Sequence, residues 1–121
     1  MGYRLVAIDH IQLAMPPGAE DEATVFYEGL LGLERRPKPP VLAARGGCWF
    51  ANENVVVHLG VEADFRSAKK AHPALVVEGF DQLCSELEAH GHPVRPDHDL
   101  PGVRRGYVDD PFGNRIELME A

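Results

Sequence analysis

The sequence predicts an α+β fold made of two similar halves, in which strands outnumber helices. Its 12 glycines and 10 prolines form no low-complexity tract but occur as turn signals, as in 16–18 (PPG), 37–40 (PKPP) and 110–114 (DPFGN). The runs between these turns are rich in Val, Ile and Leu, as strands are, and two other stretches have helical spacing. The order of one strand, one helix and up to three strands occurs twice along the chain.

The first half is predicted to begin with a strand and a helix. Residues 5–15 form a strand in which His10 and Gln12 share one face, and residues 20–33 form a helix that ends near Gly32. Residues 37–40 are expected to be a loop or an edge segment, because proline does not fit a central strand. Two further strands follow, at 47–51 and 55–61. The polar stretch 63–69 has no apolar periodicity and suits a linker.

The second half repeats this order. Residues 71–77 are predicted to be a strand, and residues 80–90 a helix that ends at Gly91. Three strands follow, at 94–100, 104–109 and 115–119. The DPFGN segment between the last two favours a hairpin turn, because proline presets φ and glycine accepts a positive φ.

A fixed internal offset supports a duplication. Gly32 lies 26 residues before His58, and Gly91 lies 26 residues before Glu117. The modules are therefore expected at about 1–62 and 70–121 within a single domain. Neither half is long enough to bury much core alone, so we expect the two half-sheets to share one cavity.

The duplication places four metal-competent side chains at equivalent positions. His10 and His72 match in the first strands, and His58 and Glu117 match in the last strands, where both are flanked by aliphatic residues. Burying these groups without a partner would be costly, and one bound cation would satisfy all four. Imidazole and carboxylate suit Zn, Fe, Ni, Mn or Co. The remaining histidines lie at a helix end or in loops and are expected to be solvated: His90, His92 and His98.

Four segments carry a family resemblance over essentially the whole chain: DHIQL, HLGVE, AHPALVV and DPFGNRIELME. The chain resembles the vicinal oxygen chelate superfamily, which includes glyoxalase I, fosfomycin-resistance enzymes, extradiol dioxygenases and bleomycin-resistance proteins. The resemblance implies two tandem βαβββ modules forming a U-shaped mixed sheet around a central cavity with one divalent metal ion. Its ligand positions fall on His10, His58, His72 and Glu117. In enzymes with three protein ligands, the matching residues are His10, His72 and Glu117.

One departure from the family pattern bears on the reaction. Glyoxalase I typically has a glutamate where this chain has His58, whereas the His10, His72 and Glu117 subset resembles that of an Fe(II) dioxygenase. We expect a small metal-dependent lyase, isomerase or dioxygenase whose substrate is chelated through neighbouring oxygens. The alternative is a metal-free protein that sequesters a ligand, of the bleomycin-resistance type. His58 is expected to be a fourth ligand.

Strand parity predicts the rest of the pocket. Tyr107 and Arg105 should share the face of Glu117. Glu117 and Tyr107 are expected to be the catalytic residues. Substrate contacts are expected from four side chains: Arg105, Arg115, Gln12 and Trp49. Either Trp49 or Phe50 points inward, and the arginines either face the pocket, favouring an anionic or oxygen-rich substrate, or are exposed edge charges.

The composition limits which classes of binding partner are expected. With 12 Lys and Arg against 19 Asp and Glu, the net charge of −7 disfavours binding to nucleic acid or to an anionic membrane. No signal-peptide pattern or membrane-spanning apolar run is present, and two cysteines make a poor disulfide framework, so the cytoplasm is expected. A homodimer is expected because an exposed half-sheet edge favours pairing.

Overall fold

The first half of the chain forms a four-stranded sheet in a computed structural model that describes residues 2–121. Its strand order is β1-β4-β3-β2, with β1 parallel to β4 and the other pairs antiparallel. Helix α1 continues directly into a π-helical segment, Val25–Leu30. The elements of this half are β1 (Ile11–Met15), α1 (Glu20–Thr24), β2 (Glu34–Arg36), α2 (Pro40–Ala43), β3 (Cys48–Ala51) and β4 (Val56–Val61).

The second half forms a separate sheet with the same topology, in the order β5-β8-β7-β6. Its elements are β5 (Ala74–Val77), α3 (Phe80–Ala89), β6 (Arg95–Asp97), β7 (Arg105–Asp109) and β8 (Arg115–Glu120). The predicted α+β class and the two tandem βαβββ modules are confirmed. The two halves of the predicted U-shaped mixed sheet are two four-stranded sheets, one in each module.

The register of both sheets agrees with the internal repeat. Gln12 lies opposite His58 in the first sheet, and Ala74 lies opposite Glu117 in the second. His10 and His72 each precede that paired position by two residues. The duplication inferred from spacing therefore also holds at the level of strand pairing.

The N-terminal segment differs from the predicted strand at 5–15. Residues 2–10 have no helix or strand, because no other strand in residues 2–121 pairs with them. Their apolar side chains are largely exposed: Tyr3, Leu5, Val6 and Ile8. The short elements β2 and α2 have only 3 and 4 residues, too few to show any periodicity in the sequence.

One hydrophobic core joins the two modules. Phe26 and Tyr27 pack with Phe50 of β3 and with the inner residues of β8, Ile116 and Leu118, and all five are at most 1% exposed. Removing each such side chain from water contributes about 1.5–3 kcal/mol. The helices thus cover one face of each sheet, which leaves the opposite faces open.

His92 also contributes to this junction and is not solvated as expected. Its ring lies 4.8 Å from the ring of Phe26, edge to face, and its Nδ1 lies 3.2 Å from the carbonyl oxygen of Asp109. The sequence shows only a histidine after a helix, and the packing of α3 against the helix of the first module makes it half-buried.

A buried polar network crosses between the modules. The Tyr27 hydroxyl donates to Asp110 Oδ2 at 2.7 Å, and Asn114 Nδ2 donates to the same oxygen and to the carbonyl of Ala14 in β1. Asp110 also accepts the backbone N–H groups of Phe112 and Asn114, which fixes the DPFGN hairpin. All polar atoms of Asp110 are therefore used structurally.

Candidate metal centre

The first pair of candidate ligands lies on the open face of the first sheet. His58 is on β4, and His10 comes immediately before β1, which pairs with β4. The two imidazole rings stack with centroids 4.0 Å apart. The indole of Trp49, opposite His58 on β3, covers the other face of His58 at 4.2 Å with an interplanar angle of 6°. His58 is therefore held between two rings with its ring edge free to offer a nitrogen.

Burial keeps His58 in the form that binds metals. Desolvation lowers the pKa of His58, and the neighbouring His10 lowers it further. At neutral pH the ring is uncharged and carries a nitrogen lone pair. His10 Nδ1 lies 2.8 Å from Asp9 Oδ2, so this ring is also oriented by a neighbour.

The second pair lies on the open face of the second sheet. His72 Nε2 is 3.0 Å from Glu117 Oε1, while His72 Nδ1 is 2.8 Å from the carbonyl oxygen of Lys70. A neutral imidazole has only one N–H, so it cannot donate to both oxygens. With its N–H on Nδ1, His72 presents Nε2 beside Glu117 Oε1 as one nitrogen and one oxygen donor. This donor set therefore fits a divalent metal.

Arg105 fixes the carboxylate of Glu117. Arg105 Nη1 donates to Glu117 Oε2 at 3.2 Å, and Nη2 donates to Asp97 Oδ1 at 3.1 Å. The hydrogen bond to Glu117 is the main cause of the raised pKa of Arg105. Glu117 is only 7% exposed, so its free oxygen, Oε1, has one direction available, towards His72.

The structure places most of the other predicted pocket residues beside these pairs. Tyr107 lies opposite Glu117 in the register of β7 and β8, with its hydroxyl 3.3 Å from Arg105 Nη1. Arg105 faces inward, and Arg115 lies over the Tyr107 ring at 5.1 Å. Of the two aromatic candidates on β3, Trp49 lies on the open face, whereas Phe50 is in the core.

The two pairs of candidate ligands do not meet within the part of the chain that the structure describes. Among residues 2–121, no group of three or more His, Cys, Asp or Glu side chains could hold a metal ion. Each chain therefore offers two incomplete donor sets, one on each open face. The sequence showed the equivalence of the four positions but contained no signal for which faces meet.

A groove of about 770 Å³ covers the first open face. Its walls include His10, Gln12, Trp49 and His58, together with two cations that the sequence analysis did not single out, Lys38 and Arg45. These two residues lie outside any predicted strand: Lys38 is within the PKPP segment at 37–40, and Arg45 directly precedes the glycine pair at 46–47.

Comparison with known proteins adds to this geometry. A family model described as the Glyoxalase/Bleomycin resistance protein/Dioxygenase superfamily matches residues 7–118. A solved structure from Bacillus anthracis, assigned to the glyoxalase family, is 50% identical with a TM-score of 0.94, covering 99% of this chain and 98% of that one. No curated protein matches significantly.

More distant structures share the fold. The fosfomycin resistance protein FosX from Listeria monocytogenes is 15% identical with a TM-score of 0.77, covering 98% of this chain and 95% of that one. A variant of it, solved with Mn(II) and 1S,2S-dihydroxypropylphosphonic acid, is also 15% identical, with a TM-score of 0.76 and coverage of 96% and 90%. None of the helices in residues 2–121 is long and apolar enough to cross a membrane.

Proposed function

We propose that this chain, which belongs to the Glyoxalase/Bleomycin resistance protein/Dioxygenase superfamily, is a divalent-metal-dependent enzyme that acts on a small, oxygen-rich substrate. The observation that carries the proposal is the pairing of His72 with Glu117. With the N–H of His72 on Nδ1 and donated to the carbonyl of Lys70, Nε2 and Oε1 face each other as two donor atoms for one metal ion. A lyase, isomerase or dioxygenase reaction fits this site.

We further propose that two chains complete each site. His10 and His58 of one chain would face His72 and Glu117 of a second copy, giving four nitrogen and oxygen donors. A twofold homodimer then contains two identical sites, because each chain supplies one half to each. The open faces support this arrangement, since each donor pair lies on the sheet face that the helices leave uncovered.

The exposed edges support a dimer. The apolar side chains of residues 3–8 are 77–95% exposed, and Val76 on the edge strand β5 is 66% exposed. A groove of about 550 Å³ runs between the edges of β1 and β5, lined by Ile8, Ile11, Leu75 and Val76 among others. An unpaired apolar strand edge favours association with another strand. We propose the cytoplasm as the compartment, where the free thiols of Cys48 and Cys84 stay reduced.

The residues around the ligands have distinct roles in the proposed reaction. The bound ion supplies Lewis-acid chelation of two neighbouring substrate oxygens. Glu117, oriented by Arg105, is a carboxylate that accepts a proton from the substrate during the reaction, and the Tyr107 hydroxyl donates a hydrogen bond to a substrate oxygen. Gln12 and Trp49 line the opposite wall and orient the substrate.

Metal removal tests the proposal. Chelation of protein purified without a histidine tag should lower the melting temperature, and Mn(II) or Zn(II) should restore it, because an ion bound only by the folded state stabilises it. Metal content per chain is the second measurement. An unchanged melting curve and no bound metal would contradict the proposal and favour the metal-free, ligand-sequestering alternative.

Single substitutions decide the number of ligands. His58→Ala should reduce metal retention about as much as His10→Ala, whereas His90→Ala, at an exposed helix end, should leave it unchanged. If His58→Ala keeps full occupancy while His10→Ala loses it, three residues hold the metal: His10, His72 and Glu117. Oxygen uptake during turnover then separates a dioxygenase from a lyase or isomerase.

A further inference from the structure

The groove on the first open face has a cationic end at some distance from the ligands. Lys38 and Arg45 both line it, and α2 lies between them in sequence. The chain as a whole has a net charge of −7, so two positively charged side chains at one end of a groove are unusual in this protein. Any role in substrate binding for this cationic end rests on the proposed function.

The backbone that carries these cations is held in place. The N–H of Gly47 donates to Glu20 Oε2 at 2.8 Å, and Lys38 Nζ donates to the carbonyl oxygen of Gly46. A Cβ at Gly47 would lie 2.2 Å from the carbonyl oxygen of Leu59, so the loop is packed directly on β4. The glycine loop and the Lys38 ammonium are therefore fixed parts of the groove, and Arg45 directly precedes that loop.

The position of this loop along β4 gives a distance to the ligands. Gly46 packs against the side chain of Val61, at the end of β4, and His58 lies three residues earlier on the same strand. At about 3.3 Å per residue, the cationic end lies on the order of 10 Å along the strand from His58. The wall between them includes the apolar side chains of Trp49 and Leu42, together with the amide of Gln12, which lies against Gly60 of β4.

Neither cation is neutralised by a nearby carboxylate. No ion pair within 4.0 Å involves Lys38 or Arg45 among the described residues. Two carboxylates lie in this part of the molecule without pairing to either cation: Asp9 lines the groove next to His10, and Glu20 accepts the N–H of Gly47. A guanidinium fork together with an ammonium group matches a carboxylate, with charge-assisted hydrogen bonds.

We infer that the substrate carries a carboxylate tail, bound by Lys38 and Arg45, at the far end of an apolar linker from the two oxygens that are chelated at the metal. The substrate class is thus a 2-oxo or 2-hydroxy compound with a distal carboxylate. A fully apolar or short substrate would leave the cationic end unused.

Three chelating ligands test this inference by calorimetric titration of the Mn(II)-loaded protein. Pyruvate has the chelating head alone, 2-oxooctanoate adds an uncharged chain, and 2-oxosuberate has the same chain with a terminal carboxylate. We expect 2-oxosuberate to bind at least about tenfold more tightly than 2-oxooctanoate, the size of an additional charge-assisted contact. Equal affinities of the wild-type protein for these two ligands would overturn the inference.

Matched variants locate the effect. Arg45→Met and Lys38→Met should each reduce the preference for 2-oxosuberate severalfold, and the double variant should abolish it. Arg36→Met removes the same charge from an exposed position on β2 and should leave the preference intact. Lys38 also donates a hydrogen bond to Gly46, so the melting temperature of the Lys38→Met variant is measured as a check on folding. Arg45 is exposed, so Arg45→Met leaves the hydrogen bonds of the loop in place. A double variant that keeps the full preference would refute the site.

Failure of the proposed function gives a different result. If Mn(II) is not retained by the wild-type protein, the proposed function fails. The comparison of 2-oxosuberate with 2-oxooctanoate on the metal-free protein then still decides whether Lys38 and Arg45 bind a carboxylate.

Discussion

Two variants that each damage one half of the metal centre should restore metal binding when they are mixed. The first variant carries His10→Ala and His58→Ala, and the second carries His72→Ala and Glu117→Gln. In a homodimer of either variant, every site combines an intact half with a damaged half. In a mixed dimer, both intact halves meet in one site, and both damaged halves meet in the other.

The geometry sets the size of the recovery. Random pairing of equal amounts gives about one half mixed dimers, and each mixed dimer has one intact site out of two. Metal content after mixing should therefore reach about one quarter of the wild-type value per chain, against background levels for either variant alone. The assay is co-refolding of the two variants, removal of excess Mn(II), and metal analysis by mass spectrometry.

Exchange of subunits is the control for this experiment. Native mass spectrometry of variants with different masses shows whether mixed dimers have formed. Mixed dimers without recovered metal would refute a site shared between chains. Full metal retention by either variant alone would show that the damaged residues are not ligands.

Three other predictions concern single side chains. Tyr27→Phe removes the buried donor to Asp110 and should lower the free energy of unfolding by about 1.5–3 kcal/mol in urea, whereas an unchanged midpoint would contradict the network. Burial raises the pKa of the Cys48 thiol from 9.0 to about 11, so the unfolded thiol ionises first and stability should fall as pH rises through this interval. Cys48→Ala should flatten that decline in alkaline urea titrations, and an unchanged slope would exclude the thiol as its cause. Trp49→Leu should weaken Mn(II) binding severalfold, and Trp49→Phe should not, because a stacked ring holds His58; equal affinities would show that stacking has no role.

Much of the fold was predictable because it depends on local pattern. The 26-residue offset from Gly32 to His58 and from Gly91 to Glu117 reflects equal lengths of chain after the two helices, and the observed register agrees with the repeat. Strand alternation likewise placed Tyr107 and Arg105 on the face of Glu117, because side chains on paired strands share a face at opposite positions.

Other features depend on contacts that no local pattern encodes. The apolar run at 5–8 is typical of a strand, yet a strand needs a partner, and none lies within residues 2–121. The burial of His92 follows from the packing of one helix against another. His10 and His58 lie apart from His72 and Glu117 because the helices cover one face of each sheet and leave two separate faces open. Equivalent positions in a repeat do not show which sheet faces are covered.

The network of Tyr27, Asp110 and Asn114 also has a consequence for folding. Each module has its own sheet, and two independent sheets would be expected to melt separately. Tyr27 comes from the first module, and Asp110 and Asn114 come from the hairpin of the second, so neither module can open without leaving a buried carboxylate or amide without its partners. The chain should therefore unfold in one cooperative transition, and neither half expressed alone should reach its native structure.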